Sequence, residues 1–155
     1  MRVLSLDQSS NKTGCALLKD GEVLAVRLIH SAGKEFNEKA RNMVDVIEEH
    51  IREDKPDVVV MEDTQQQANA GTYKKLCILL GMIQRVCIQY GVPYEVYTPS
   101  HWRKILGFDT YKKKRSELKQ MAIDYVKDVL GIDVSEDEAE GICIGLAYGK
   151  EKDLW

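Results

Sequence analysis

Cysteine and histidine are scarce in this 155-residue chain, with four Cys and three His. Cys15, Cys77, Cys87 and Cys143 sit inside apolar periodic segments and form no Cys-x-x-Cys pair, so they read as small buried hydrophobes of a reducing compartment rather than disulfides. His30, His50 and His101 lie far apart with no ligand spacing, which argues against a zinc site. No apolar run approaches the ~20 residues that span a bilayer, and no basic segment leads into an apolar signal region. The expected location is therefore the cytoplasm. An excess of positive charge is missing too. The formal net charge is -3, which speaks against nucleic acid only if charge is spread evenly, and it is not.

What is present suits a globular protein. The chain is 44% hydrophobic and 30% charged, and its length fits one domain, residues 1–155, with a continuous core. Its organising stretch is Arg2-Val-Leu-Ser-Leu-Asp7, an apolar run that reads as a strand covered on both faces and ends in a carboxylate. A buried acid costs free energy unless something compensates it. A metal ion would do so, as would hydrogen bonds from the following turn, a common role of Asp. Thr13–Leu18 and Val23–Leu28 flank Asp20-Gly21, a strong hairpin signal, so residues 2–28 predict a three-stranded antiparallel meander. Residues 35–53 carry apolar side chains at helical spacing and stop before Pro56. Asp57-Val-Val-Val-Met-Glu62 then repeats the opening theme, with Val58, Val60 and Glu62 on one face and Asp63 on the other. A parallel pairing of the two runs, which a strand–helix–strand crossover favours, would set Asp7 and Glu62 side by side. The competing reading is that Glu62 leaves the sheet into solvent.

A loop over 64–71 precedes a helix expected to bury Tyr73, Leu76, Cys77, Leu80, Ile83, Cys87 and Tyr90. Pro93–Tyr97 reads as an edge strand, and Thr98 or Ser100 as the cap of a short helix. From His101 to Lys119 the charge inverts, with seven Lys or Arg against Asp109 and Glu117. Arg103, Lys104, Lys112, Lys113, Lys114 and Arg115 make this a candidate phosphate-binding surface, although most lysine runs are solvated faces. Trp102 and Tyr111 could stack on bases or pack in the core. Another helix is expected to carry Leu118, Met121, Ala122, Tyr125 and Val129, with Gly131 at its end. The last helix starts at Ser135, whose spacing to Glu138 fits a capping box. Asp137 and Glu140 lie about 60° apart around its axis, beside Gly141, Ile144, Gly145 and Tyr148, small or apolar residues that permit close approach to a sheet.

Asp7, Glu62, Asp137 and Glu140 are thus four acids that would repel one another without cations. Two divalent ions about 4 Å apart would relieve that repulsion and suit in-line phosphodiester hydrolysis. Oxygen-only ligands favour Mg²⁺ or Mn²⁺.

The chain here resembles a family. Leu6-Asp7-Gln-Ser-Ser-Asn-Lys-Thr-Gly14, Val60-Met-Glu62 and Asp137-Glu-Ala-Glu140-Gly-Ile-Cys-Ile-Gly-Leu-Ala look like the three acidic motifs of RuvC-type Holliday-junction resolvases. The resemblance spans nearly the whole chain, and the compact form is most similar to bacteriophage members. It implies an α/β, ribonuclease H-like fold whose five-stranded mixed sheet has three antiparallel strands, then two parallel ones, flanked by helices. It implies a homodimer that binds four-way DNA and nicks two strands symmetrically, in a host cytoplasm if phage-encoded. By position, Asp7, Glu62, Asp137 and Glu140 would be the catalytic metal ligands, with Asp7 shared by two Mg²⁺ or Mn²⁺ ions. Arg103, Lys104 and Lys112–Arg115 would contact DNA, with Lys114 or Arg115 nearest the scissile bond. Glu140 stands where Asp is commoner, and Gln65, Gln66 and Gln67 stand where the family often has an aromatic wedge. Competing readings are a broader branched-DNA or structured-RNA nuclease of the YqgF type, disfavoured by Glu62, and an inactive junction-binding module. The actin-like and sugar-kinase ATPases share a similar first loop but need two such domains.

Overall fold

A computed structural model describes residues 1–66 and 69–155. Five strands form one sheet in the order β3-β2-β1-β4-β5. They are β1 (Arg2–Asp7), β2 (Lys12–Lys19), β3 (Glu22–His30), β4 (Val58–Glu62) and β5 (Tyr94–Tyr97). Interleaved with them are α1 (Phe36–Asp54), α2 (Ala70–Tyr90), α3 (Pro99–Ile105), α4 (Arg115–Leu130) and α5 (Glu136–Glu151). The first three strands are antiparallel, and β1, β4 and β5 are parallel. The ribonuclease H-like order expected from the resemblance is the order observed.

The hairpin between β2 and β3 turns on Asp20 and Gly21, with φ of 53° and 82°. Two successive positive-φ residues suit the right-handed twist of the flanking strands. Pairing slips by one residue between Leu17 and Leu18, leaving Leu24 half exposed.

Alternation along the buried strands splits the core in two. Leu4, Leu6, Cys15, Leu17, Val59 and Met61 meet α1 and α2, while Val3, Ala16, Leu18, Val58 and Val60 meet α3, α4 and α5. In α1 the expected stripe of Phe36, Ala40, Met43, Val44, Ile47 and Ile51 is buried from Ala40 onward, with Phe36 at the helix start half-buried. Full burial contributes roughly 1.5–3 kcal/mol for each of its larger side chains. The α2 stripe differs from expectation. Leu79 and Val86 join Leu80, Ile83 and Cys87 in the core, whereas Tyr90 is 40% exposed and Tyr73 half-buried. The helix packs against α1 as well as the sheet, which rotates its buried face. In α4, Val126 is buried and Val129 is exposed, again one helical step from the expected face.

The strand parity also sets the site. Val3, Ser5 and Asp7 share the face that meets α5, as do Val58, Val60 and Glu62. The parallel register runs through Leu6 opposite Met61, so Asp7 and Glu62 follow side by side at the same sheet edge.

Candidate active site

Helix α5 reaches that edge because three glycines let it. A methyl group on Gly14 of β2 would lie 1.8 Å from the Asp137 carbonyl oxygen, and one on Gly141 would lie 2.9 Å from the Gly14 oxygen. One on Gly145 would meet Leu18 and Ser5 at 2.4 and 2.7 Å. The buried Ser5 hydroxyl donates to the Gly141 carbonyl at 2.7 Å, tying β1 directly to the helix backbone. The capping pair forms as expected, with the Ser135 amide donating to Glu138 at 2.8 Å. Glu138 is thereby occupied at the helix start, and Asp137 and Glu140 are the acids that turn toward the sheet.

One carboxylate oxygen each from Asp7, Asp137 and Glu140 lies within 4.8 Å of the others. Glu62 stands beside this trio in the same cleft and is held separately. Its side chain accepts the Trp102 indole N–H at 2.8 Å, and its backbone oxygen accepts the Gln8 amide at 2.6 Å. The cleft encloses about 320 Å³ and is also lined by Ser9, Lys12, Asp63, Arg103, Arg115 and Lys119.

Crowded acids in a partly dry site resist ionisation. Burial, and then the charges of Glu62, Glu140 and Asp137, push the Asp7 carboxyl well above the usual carboxylate range. Burial pushes Glu62 up to about 7, against the pull of the Trp102 hydrogen bond. Three cations lean on the remaining acids. Arg103 donates to Glu140 at 2.9 Å, Lys12 lies 3.4 Å from Asp137, and Lys119 lies 3.6 Å from Asp137 and 3.9 Å from Glu140. Burial opposes the Lys119 charge, yet its hydrogen bond to Glu136 and the charges of Glu140 and Asp137 hold the ammonium above its ordinary range.

The family model for crossover junction endodeoxyribonuclease RuvC matches residues 3–144, a span that contains all four acids. The chain belongs to the RuvC family. The RuvC of Halorhodospira halophila is 24% identical, over 97% of this chain and 91% of its own length. That of Citrifermentans bemidjiense is 28% identical, over 92% and 91%. The fold matches T. thermophilus RuvC in complex with Holliday junction substrate, with a TM-score of 0.80, 16% identity and coverage of 99% and 96%.

Within this RuvC-family chain the six basic residues proposed from sequence stand in different surroundings. Arg103 is half-buried, lies over the Trp102 ring and pairs with Glu140. Arg115 is exposed and lines the cleft. Lys104, Lys112, Lys113 and Lys114 are exposed and stand outside the cleft lining, with Lys114 at the N-cap of α4. Trp102 is fully buried, whereas Tyr111 is 75% exposed. Of the three glutamines, Gln65 lines the cleft and Gln66 is exposed, while Gln67 lies outside the described residues. Sequence reasoning passed over Lys12 and Lys119 as site residues. Lys119 follows Arg115 by four positions, the spacing that puts two side chains on one helix face, and that was the available signal.

Proposed function

We propose that this chain is a divalent-metal-dependent endonuclease that resolves four-way DNA junctions by paired, symmetric hydrolysis, acting as one nuclease domain per protomer of a homodimer. The observation that carries the reading is the convergence of Asp7, Asp137 and Glu140 within 4.8 Å, with Glu62 alongside, in a chain of the RuvC family. The T. thermophilus relative whose fold it shares is described with a Holliday junction substrate.

The donor set fits a hard divalent cation. All four groups are carboxylates, and burial, followed for Asp7 by the charges of Glu62, Glu140 and Asp137, raises Asp7 and Glu62, a direction that a bound cation would offset. Asp7, Glu62, Asp137 and Glu140 would hold two Mg²⁺ or Mn²⁺ ions, which would supply Lewis-acid activation of water and charge stabilisation at the leaving 3′ oxygen. The chain's own residues prepare that site. Trp102 fixes the direction of Glu62, Ser5 and the glycine contacts fix Asp137 and Glu140, and Arg103 orients Glu140. Arg115 at the cleft wall and Lys12 by the first loop would hold the phosphodiester for in-line attack, in which the bond from phosphorus to the 3′ oxygen breaks as the bond to water oxygen forms. Lys104 and Lys112–Lys114 would contact flanking phosphates.

A junction with two-fold symmetry suits a two-fold dimer. Ile78 and Ile88 on the outer side of α2 are 43% and 65% exposed, which supports that helix as part of the contact. The compact form, with Glu140 and Gln65–Gln67 as departures from the family pattern, fits a bacteriophage member, which would work in a host cytoplasm.

The test is cleavage of a labelled synthetic four-way junction beside a matched linear duplex, with Mg²⁺, Mn²⁺ or chelator, for wild type and Asp7→Asn. Paired metal-dependent nicks on the junction alone, lost in Asp7→Asn while binding persists, are expected. Binding without cutting would identify an inactive module, and equal cutting of every branched substrate a broader nuclease.

A further inference from the structure

The acid cluster is already partly neutralised by the protein itself, through Arg103 on Glu140, Lys12 on Asp137, and Lys119, the one cation of the three that approaches both Asp137 and Glu140. Lys119 projects from α4 to the start of α5, where its ammonium lies 3.1 Å from Glu136, 3.6 Å from Asp137 and 3.9 Å from Glu140. Its side chain is only 18% exposed. Asp137 and Glu140 are two of the three groups whose oxygens converge within 4.8 Å. An ammonium and a divalent ion on the same two carboxylates repel each other at a few ångströms and draw on the same negative charge, so each weakens the hold of the other. Arg115 sits one turn before Lys119 on α4 and lines the same cleft. A Lys119 side chain displaced from the acids would therefore swing along its own helix face toward Arg115, at the cleft wall.

We propose that Lys119 is an internal counter-ion that competes with the divalent cations for Asp137 and Glu140, and that cation loading drives its ammonium outward to hold the phosphodiester beside Arg115. The consequence is coupling by linkage. Cation binding strengthens phosphate binding through Lys119, and phosphate binding strengthens cation binding by drawing Lys119 off the acids. The long flexible stem of lysine and its compact charge suit such an exchange, whereas the planar fork of Arg103 suits the fixed pair with Glu140.

This inference rests on the metal-centre reading above, and its test separates the two. Mn²⁺ binding is followed by electron paramagnetic resonance, without catalysis, in wild type, Asp7→Asn, Lys119→Met and Lys119→Arg. Thermal unfolding in chelator verifies that each variant folds. Lys119→Met should bind Mn²⁺ about tenfold more tightly than wild type, the effect of removing a unit charge a few ångströms away in a screened site. Lys119→Arg, which keeps the charge, should stay near wild type. With non-catalytic Ca²⁺ added, junction binding by wild type should tighten and that by Lys119→Met should tighten several-fold less. Unchanged Mn²⁺ affinity in a folded Lys119→Met, or equal Ca²⁺ enhancement in both proteins, would overturn the counter-ion role. Mn²⁺ binding that Asp7→Asn leaves untouched would instead overturn the metal centre itself.

Discussion

The Trp102 indole donates to a Glu62 carboxyl that burial has pushed up to about 7. Two consequences follow at the level of single residues. Because the folded chain favours the protonated form of Glu62, its contribution to stability is whole below the ordinary value of 4.5 and is lost as pH rises through about 7. Glu62→Gln is neutral at every pH and can still accept the indole N–H. In chelator at pH 8 it should be more stable than wild type by roughly 1–3 kcal/mol, the cleft's solvent screening part of the full shift. Urea unfolding at several pH values should show that gap closing toward pH 4.5, and a gap independent of pH would mean that Glu62 ionises freely. The hydrogen bond favours the charged form, so Trp102→Phe should push the Glu62 carboxyl higher still. The acid limb of the cleavage-rate profile should then move to higher pH under single-turnover conditions with Mg²⁺ held constant. A loss of rate with the limb unmoved would assign Trp102 to packing alone, since the ring is fully buried and meets Phe108 edge-on at 5.7 Å.

At the scale of elements, the close seating of α5 on β1 and β2 is what turns two helix acids toward two strand acids. Gly14→Ala places a methyl 1.8 Å from the Asp137 carbonyl, backbone against backbone, so the helix start has to lift. Gly141→Ala meets the Gly14 oxygen at 2.9 Å, a milder conflict farther from the helix end. Gly14→Ala should cost more than the 1–3 kcal/mol typical of overpacking, and Gly141→Ala should fall within it. Mn²⁺ affinity should drop further in Gly14→Ala than in Gly141→Ala at matched temperature below both midpoints. Equal affinities would mean that Asp137 does not depend on this contact. Much of the framework was legible in sequence. Asp20-Gly21 marked the hairpin, two apolar runs ending in acids marked the central pair, and Gly141 and Gly145 marked the close approach. The buried faces of α2 and α4 were less legible. An amphipathic stripe reports only that one side is apolar, whereas α2 faces the sheet and α1 at once and so buries Leu79 and Val86. Lys119 was hidden by the Lys112–Arg115 run, four consecutive basic residues that draw the eye in the sequence but are exposed. Its partners on α5 are 17 to 21 positions away, a pairing that only the packing of α4 on α5 brings about.

For the whole molecule, the question is how a chain of net charge -3 approaches DNA. Five acids and four basic side chains line the cleft, so its own field does not favour a phosphodiester. Divalent cations on the acids would reverse that balance locally. The exposed lysines outside the cleft act differently, because Lys112, Lys113 and Lys114 form no ion pair among the described residues and their charge is free for solvent counterions or phosphates. Phosphates neutralised by them would release condensed counterions, which makes binding steeply salt-dependent. Replacing all three lysines with Gln should therefore weaken junction binding at low salt. It should also reduce the slope of log affinity against log salt by about 0.9 for each lysine that meets a phosphate, up to about 3 in all. The midpoint of thermal unfolding should stay within a degree or two, since exposed unpaired side chains contribute little to stability. Ca²⁺ in place of Mg²⁺ keeps the junction intact during the titration. An unchanged slope with an unchanged fold would place the DNA path on the Lys12 and Arg115 side of the cleft alone, and would leave the basic segment a solvated surface.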